Sequence, residues 1–270
     1  MTIFESKKNN RRTPPGVYGR DYFLSDSLEG YQDFKDGNLS VRQKKLFELL
    51  EVKPGLRVLD IGFGRGDLLY YCAKQGAIIS GIDYSKDAVS VANEFLKGFS
   101  GIDIQEADCK SLPFPDNFFD RVVSGDVIEH LNRQDALLML KEAKRVLKPG
   151  GFLLVHTAPN TVFTKIVYPL AKPILKIVSR ETIGVIESHF KLMKEHHIYE
   201  YNLFSLRKAA DKAGLVGSKI WLDSDLLRSG KHRFTQKISD NFLVRFVNAG
   251  RRFSLVKFFF SNDLFLKYYK

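Results

Sequence analysis

Two short runs of this 270-residue chain combine residue types and spacings that could do chemistry. The first begins at Asp60 and places glycines at the alternate positions Gly62, Gly64 and Gly66. Glycine lets a ligand approach the backbone closely, and the free amides where a turn enters a helix can hold an anionic or polar group. The second run, 124–130, reads Ser-Gly-Asp-Val-Ile-Glu-His and offers carboxylates and an imidazole, which could move a proton or bind a metal.

The spacing of the glycines excludes the usual dinucleotide-binding loop. That loop needs G-x-G-x-x-G, whereas here the third glycine comes one residue early and position 67 is Asp. Apolar residues before Asp60 predict a buried strand, and the pattern after Gly66 predicts a helix. The first run is therefore a strand, a tight turn and a helix N-terminus, in that order.

Predicted strands and helices alternate around this turn. Further strands are predicted at 77–82, 102–106, 118–124 and 152–156, and helices at 40–50, 66–75, 86–97 and 134–147. This alternation predicts a parallel sheet with helices on both faces, in which ligands bind at the carboxyl ends of the strands. Asp60, Asp83, Asp108 and the run 124–130 all follow predicted strands, so we expect them to lie along one edge.

Residues 56–160 resemble the type 11 group of the class I S-adenosylmethionine (SAM)-dependent methyltransferases. The resemblance rests on VLDIGFGRG, GIDYS, ADCKSLPFPDNFFDRVVSGDVIEHL and LKEAKRVLKPGGFLL, which stand in the family order. It implies a doubly wound, mostly parallel seven-stranded α/β sheet of Rossmann-like type. Strand six would be 215–222, and an antiparallel strand seven 263–269. We expect an N-terminal tail and helical extension over 1–55, and a methyltransferase domain over 56–270 with insertions at about 160–194 and 223–262.

The same resemblance implies a cofactor site for SAM. Asp83 would accept the ribose hydroxyls, Asp108 the adenine amine, and Asp60 would orient the loop or meet the amino group. The rest of the predicted set comprises Gly62, Gly64 and Gly66 beside the methionine part, Tyr84 against adenine, the Cys109 amide near a ring nitrogen, and Ser124. The alternatives are a helix cap for Asp83, a turn for Asp108 and ordinary packing for Tyr84.

Methyl transfer requires an aligned acceptor and, for many acceptors, removal of a proton. His130 is the first candidate for the general base, with Glu129 or Asp126 orienting it. His197, which precedes a predicted helix, is a second catalytic or substrate-binding candidate. A histidine at such a position is also often structural.

Asp126, Glu129 and His130 further match the acid-x-x-Glu-His motif of ubiquinone-biosynthesis O-methyltransferases and small-RNA 2′-O-methyltransferases. In those families the motif ligates a divalent metal, and its first acid is Glu where this chain has Asp. A further ligand would have to be one of four histidines, at positions 156, 189, 196 and 197. The alternative is that Glu129 and His130 cap the loop and line the pocket.

The charge of the chain is +11 and uneven, because residues 205–270 hold 14 Lys and Arg but 5 Asp and Glu. Such a field favours an anionic membrane, a polyanion or a phosphorylated substrate, although it also suits a solvated basic face. Within the first insertion, Lys165, Lys172 and Lys176 fall on one side of a helical wheel among apolar residues. This pattern is typical of helices that lie on membranes, whereas Pro169 and Pro173 favour a kinked lid.

These observations predict a cytoplasmic SAM-dependent methyltransferase, in peripheral contact with the inner membrane face. Its acceptor would be a small or lipid-linked molecule, such as a sugar or quinone-like intermediate that is O-methylated. RNA 2′-O-methylation is the alternative, disfavoured because no RNA-binding signature accompanies the basic residues of 223–262. A cofactor-binding regulator without turnover is the third possibility. The sequence has no signal-peptide pattern, and Cys72 and Cys109 are expected to be reduced thiols.

Overall fold

A computed structural model of the chain describes residues 18–25, 28, 30–178, 183–184, 187, 190–191, 196–223, 258–259 and 261–270. Its centre is a seven-stranded sheet of order β3-β2-β1-β4-β5-β7-β6. The strands are β1 Arg57–Ile61, β2 Ile78–Asp83, β3 Ile102–Glu106, β4 Phe119–Gly125, β5 Leu147–Thr157, β6 Lys219–Asp223 and β7 Asp263–Tyr269. Strand β7 runs antiparallel to both β5 and β6, while the other pairs are parallel. The predicted fold is confirmed.

The helices of the described residues cover both faces of this sheet. They are α1 Arg20–Phe23, α2 Tyr31–Lys35, α3 Val41–Leu50, α4 Asp67–Lys74, α5 Lys86–Phe95, α6 Arg133–Val146, α7 Tyr168–Val178 and α8 Leu203–Lys212. Ser40, Ser85 and Asn132 cap α3, α5 and α6 by accepting hydrogen bonds from amides in the first turn. Such caps satisfy donors that have no partner inside the helix. Local sequence therefore sets where these helices begin.

Strand β1 is buried on both sides because it lies inside a parallel sheet that helices cover. Leu59 and Ile61 pack into one core with α6 and α8, and Val58 packs into the other with α3, α4 and α5. All three side chains are fully buried. The two cores fix the end of β1, and with it the start of the glycine turn.

The starts of strands β5 and β6 differ most from the sequence prediction, and hydrogen bonding explains both. Strand β5 begins at Leu147, five residues before the predicted start, because Leu147 already pairs with Phe119 of β4. Strand β6 begins at Lys219 because Leu215 still bonds back to Ala210 at the end of α8. A π-helical turn, Phe163–Val167, leads into α7, which continues through Pro173. Most of the second insertion, with the basic residues predicted there, lies outside the described residues, as does His189.

Within the described part of the chain, no helix has both the length and the apolar content that a membrane span requires.

Candidate active site

The glycine turn after β1 takes a left-handed backbone at each of its three glycines. Their φ angles are 75° at Gly62, 59° at Gly64 and 88° at Gly66, values that residues with a Cβ seldom adopt. A Cβ on Gly62 would lie 2.3 Å from Cγ2 of Val127, and one on Gly66 would lie 3.0 Å from Cβ of Ala92 in α5. Gly62 thus lets the run 124–130 approach the turn closely.

Asp83, at the end of β2, ties the glycine turn to the next strand. One carboxylate oxygen accepts the Gly64 amide at 3.0 Å, and the other accepts the Ser85 amide at 2.9 Å. The helix cap that Asp83 might have formed is provided by the Ser85 hydroxyl instead, which accepts from Ala88. Burial raises the pKa of Asp83 to about 6, against the lowering effect of these amides. Each oxygen keeps capacity for another donor, such as a ribose hydroxyl.

Asp60 adds a second buried acid beside Asp83. Burial, together with the nearby charges of Asp83 and Asp67, raises the pKa of Asp60 to about 8. Asp67 is neutralised by the buried guanidinium of Arg65, whose Nε lies 2.7 Å from its carboxylate. A cationic ligand would stabilise the ionised form of Asp60, and SAM carries both an ammonium and a sulfonium. The residues present therefore fit this cofactor.

Three other predicted cofactor residues follow β2 and β3. Tyr84 is 40% exposed and meets the Tyr18 ring edge-on at 6.0 Å, so its side chain is partly accessible to solvent. Asp108 forms the alternative turn, accepting the Lys110 amide at 3.0 Å, while its side chain remains half exposed. Burial raises the pKa of the Cys109 thiol to about 12, which makes a reactive thiolate unfavourable.

Two residues of the run 124–130 do not have the predicted roles. The hydroxyl of Ser124 is fully buried and donates to Met139 Sδ at 3.9 Å, so this side chain faces the core and not a cofactor. The carboxylate of Asp126 lies 2.8 Å from Nη1 of Arg42 and 2.9 Å from Nδ1 of His156. The carboxylate of Asp126 is therefore paired with Arg42 and His156. It neither orients the His130 imidazole nor joins a metal-binding group with it.

We call Arg42, Asp126, His156 and Asp263 the buried charge cluster, after its buried members His156 and Asp263, whereas the side chains of Arg42 and Asp126 are 25% and 35% exposed. The other ring nitrogen of His156, Nε2, lies 3.1 Å from Asp263 of β7. Nδ1 of His156 forms an ion pair with Asp126, although the two atoms are not aligned as a hydrogen bond. Burial opposes the charge on His156, but the two aspartates raise its pKa to about 9. Burial also opposes the charge on Asp126, yet Arg42 and His156 hold the pKa of Asp126 well below its usual range.

Glu129 is completely buried and holds two segments together. Its carboxyl group accepts the Thr157 hydroxyl at 2.9 Å, and its backbone carbonyl accepts the Ile198 and Tyr199 amides at 2.9 and 3.0 Å. Burial and the charge of Asp126 raise the pKa of Glu129 to about 8, so its side chain is mainly neutral at pH 7. The two backbone bonds bring the segment 196–199 over the run 124–130.

His130 lies at the junction of these segments. Its Nδ1 is 3.2 Å from the carbonyl oxygen of His196 and 3.4 Å from the Tyr18 hydroxyl, and its ring meets that of His197 edge-on at 4.9 Å. Because a carbonyl can only accept, we assign the hydrogen to Nδ1, which leaves Nε2 as the basic nitrogen. Burial lowers the pKa of His130, so the imidazole is neutral near pH 7. A neutral imidazole with a fixed tautomer suits a general base.

Tyr18 is a site residue that the sequence motifs did not identify. Its backbone carbonyl accepts the Ser85 hydroxyl at 2.9 Å, which fixes the N-terminal segment to the start of α5. Phe23 and Leu28 of the same segment lie within about 4 Å of the position that a Cβ on Gly64 would occupy. The N-terminal segment therefore covers the glycine turn. In the sequence, the group of aromatic residues in 17–37 is the feature that could have indicated such a packed segment.

One ligand atom from each of Glu129, His130 and His197 lies within 4.8 Å of the others. Two imidazoles and a carboxylate are suitable ligands for several divalent metals. Ligands bonded at the usual 2.0–2.2 Å are, however, only about 3–3.5 Å apart, so these groups would have to move closer. Glu129 would also have to lose its proton and share its hydrogen bond with Thr157. These three residues have suitable ligand atoms, but their present positions do not form a metal-coordination site.

The comparisons with known proteins agree with this arrangement. The model of the family described as a methyltransferase domain matches residues 59–155. Demethylmenaquinone methyltransferase of Staphylococcus haemolyticus is 32% identical over 201 residues, which cover 73% of this chain and 79% of that protein. Phosphoethanolamine N-methyltransferase of Plasmodium falciparum is 32% identical over 155 residues, covering 55% and 54%. The match to the demethylmenaquinone methyltransferase of Bacillus licheniformis, at 34% identity, spans 50% of this chain and 58% of that protein.

Two solved structures support the fold. Phosphoethanolamine N-methyltransferase 2 of Haemonchus contortus, in complex with SAM, superposes with a TM-score of 0.59 at 18% identity, covering 100% of this chain and 60% of that one. A SAM-dependent methyltransferase of Archaeoglobus fulgidus gives a TM-score of 0.53 at 19% identity, covering 84% and 94%.

The sheet order, the glycine turn and the acids at the ends of β1 and β2 define a SAM-dependent methyltransferase of class I. Within that class, the chain belongs to the methyltransferase-domain family, in its type 11 group.

Proposed function

We propose that this chain transfers the methyl group of SAM to a hydroxyl of a small, lipid-linked acceptor of quinone-like type, with His130 as the general base. The observation that carries the proposal is the position of His130. It lies three residues after Val127, the residue that contacts Gly62 of the glycine turn. The candidate base is thus built into the same loop that touches the candidate cofactor turn.

The cofactor would be held by residues on the ends of β1 and β2. Asp60 would meet the ammonium, Asp83 the ribose hydroxyls, and the glycine turn the methionine part. When bound, SAM supplies an electrophilic methyl group on a good leaving thioether. The protein's own task is then to place an oxygen in line with that methyl group and to remove its proton.

Proton removal is assigned to Nε2 of His130. As Nε2 takes the acceptor's proton, Nδ1–H continues to donate to the His196 carbonyl, which stabilises the imidazolium that forms. Glu129 does not compete as a base, because it is mainly neutral at pH 7 and its carboxyl group already accepts from Thr157. A divalent metal at Glu129, His130 and His197 stays a separate prediction, and no step of this mechanism uses one.

The acceptor class is supported by the relatives. The S. haemolyticus protein, which this chain matches over most of its length, is named for demethylmenaquinone. That name supports a quinone-like acceptor and does not bear on the choice of a hydroxyl as the methylated atom. A sugar hydroxyl could be methylated by the same mechanism, so a sugar acceptor is an alternative. Phosphoethanolamine is a second candidate, because several relatives at 32–38% identity carry that substrate in their names.

The test is methyl transfer from SAM that carries a deuterated methyl group, followed by mass spectrometry of the acceptor. Demethylmenaquinol in detergent and phosphoethanolamine in buffer should be offered separately. The proposal expects label on an oxygen of the quinol, located by fragmentation, with the wild-type protein, and at least about a hundredfold less of it per unit time with His130→Ala. Label on a ring carbon would contradict methylation of a hydroxyl. Label on phosphoethanolamine alone would contradict the quinone-like acceptor. Label that forms at the wild-type rate in His130→Ala, on either acceptor, would contradict the role of His130 as general base.

A further inference from the structure

The helical segment after β5 has one side packed on the domain. Thr161, Val167 and Tyr168 are buried. The Thr161 hydroxyl accepts from the Asn202 side chain at 3.0 Å, and the Thr164 hydroxyl donates to Glu200 at 3.2 Å. These contacts fix which side of the segment faces the protein.

The opposite side is apolar and exposed. Ile166 is 50% exposed and Leu170, one turn later, is 74% exposed. Pro169 and Pro173 are exposed on the same side. We call these four residues the outward face. In the kinked-lid interpretation, the apolar side of the segment packs onto the domain. The outward face does not do so, because its residues are exposed.

The charged side chains of the segment itself are positive. Lys165 and Lys176 are exposed, and Lys172 forms an ion pair with Glu187 at 2.5 Å. Residues 161–178 contain no Asp or Glu, so their only charged side chains are these three lysines. Apolar side chains flanked by lysines match a bilayer with anionic head groups, since each lysine near such a surface adds attraction that salt weakens.

The start of the segment that carries the outward face is connected to the candidate active site. Its segment follows β5, whose last residues, His156 and Thr157, contact Asp126 and Glu129. The Thr161 amide donates to the Tyr201 carbonyl, two residues after Tyr199, which is bonded to Glu129. The start of the segment is therefore tied to Glu129, the neighbour of His130 in the chain, and delivery of an acceptor would depend on this connection.

We propose that the outward face docks on an anionic membrane surface, with Ile166 and Leu170 entering the head-group region and Lys165 and Lys176 contacting phosphates. The contact would be weak and reversible, and it would deliver an acceptor dissolved in the bilayer. Delivery rests on the proposed function, whereas the docking itself does not.

The test is co-sedimentation of the full chain with vesicles of phosphatidylcholine, with and without phosphatidylglycerol. Binding is expected with the anionic vesicles and not with the neutral ones, and it should fall at high salt. The double variant Ile166→Ser/Leu170→Ser and the single variant Lys165→Glu should each weaken binding several-fold. Val216→Ser is the matched control, because Val216 is 77% exposed in the turn after α8 and should bind as the wild type does.

Three outcomes overturn the proposal: no binding to anionic vesicles, equal binding of the double variant, or equal weakening by Val216→Ser. If the wild type fails to bind vesicles but self-associates in sedimentation, and the double variant does not, the face belongs to a second copy of the chain. SAM affinity, measured in parallel, should be unchanged in every variant. Failure of docking can thus be told apart from failure of the proposed function.

Discussion

The Tyr18 hydroxyl lies 3.4 Å from Nδ1 of His130, although 112 positions separate the two residues in the chain. Both oxygens near that nitrogen, from Tyr18 and from the His196 carbonyl, can accept one Nδ1–H. The N-terminal segment and the segment 196–199 therefore meet at the imidazole and fix its tautomer. This tautomer leaves the basic lone pair on Nε2, the nitrogen that a general base would use.

Removal of the Tyr18 hydroxyl should have a modest effect, because the His196 carbonyl still accepts from Nδ1. We expect Tyr18→Phe to lower kcat by about tenfold at most, which corresponds to about 1.4 kcal/mol, with SAM affinity unchanged. Steady-state kinetics and calorimetry measure the two quantities. A loss of turnover as large as that of His130→Ala would show that Tyr18 takes part in proton transfer itself.

His130→Ala should reduce turnover by about 10²–10⁴, the usual contribution of a general base. SAM affinity should stay nearly constant, because the cofactor is expected on Asp60, Asp83 and the glycine turn. His197→Ala is the variant to compare with it, because the His197 ring contacts the His130 ring but takes no proton in this mechanism. If His197→Ala is the more damaging variant in kcat, the two histidines must exchange roles.

Removing one member of the buried charge cluster should lower the free energy of unfolding. His156→Leu would leave Asp126 and Asp263 sharing Arg42, and removal of one partner from a buried ion network typically costs about 3–5 kcal/mol of folding free energy. Urea denaturation measures this. The matched control is Arg20→Ala, because Arg20 and Glu94 form an exposed pair, of a kind worth at most about 1 kcal/mol. Equal losses from the two variants would contradict the importance of the cluster.

The same cluster gives a pH dependence with a defined sign. The pKa of His156 is raised to about 9 in the folded protein, so at mildly alkaline pH the folded state binds the proton more strongly than the unfolded state. Its stabilising effect is complete below the ordinary histidine pKa of about 6.5 and is lost as pH rises through 9. The difference in unfolding free energy between the wild type and His156→Gln should therefore shrink over that interval. A constant difference would show that His156 is neutral in the cluster.

Chelation separates base catalysis from metal catalysis. Because the proposed mechanism uses Nε2 of His130 directly, full activity is expected after dialysis against excess chelator. Lost activity that returns when a divalent cation is added would instead support a metal at Glu129, His130 and His197. In that case Glu129→Gln should abolish the response to the cation, since the amide is a poorer ligand.

The parts of the molecule that local patterns encode could be predicted well. Strand β3 and the helices predicted to begin near 40 and 86 lie where the local pattern indicated, because strand pattern and capping chemistry act over a few residues. The position of strand β7 was implied instead by the family resemblance. Asp126 was interpreted wrongly because its motif gives only its neighbours in sequence. Its actual partners, Arg42 and His156, come from α3 and β5 and meet it only in the folded sheet. The contact of Tyr18 with His130 could not be predicted from the sequence for the same reason.

The most direct test of the account is a calorimetric titration of the chain with SAM near pH 7, in two buffers of different ionisation enthalpy. Asp60 is mainly protonated there, with a pKa of about 8, and the ligand's positive charge should lower that pKa. The account predicts binding of one SAM per chain with release of up to about one proton, and a much smaller release with Asp60→Asn. Absence of SAM binding to the wild-type protein would contradict the account.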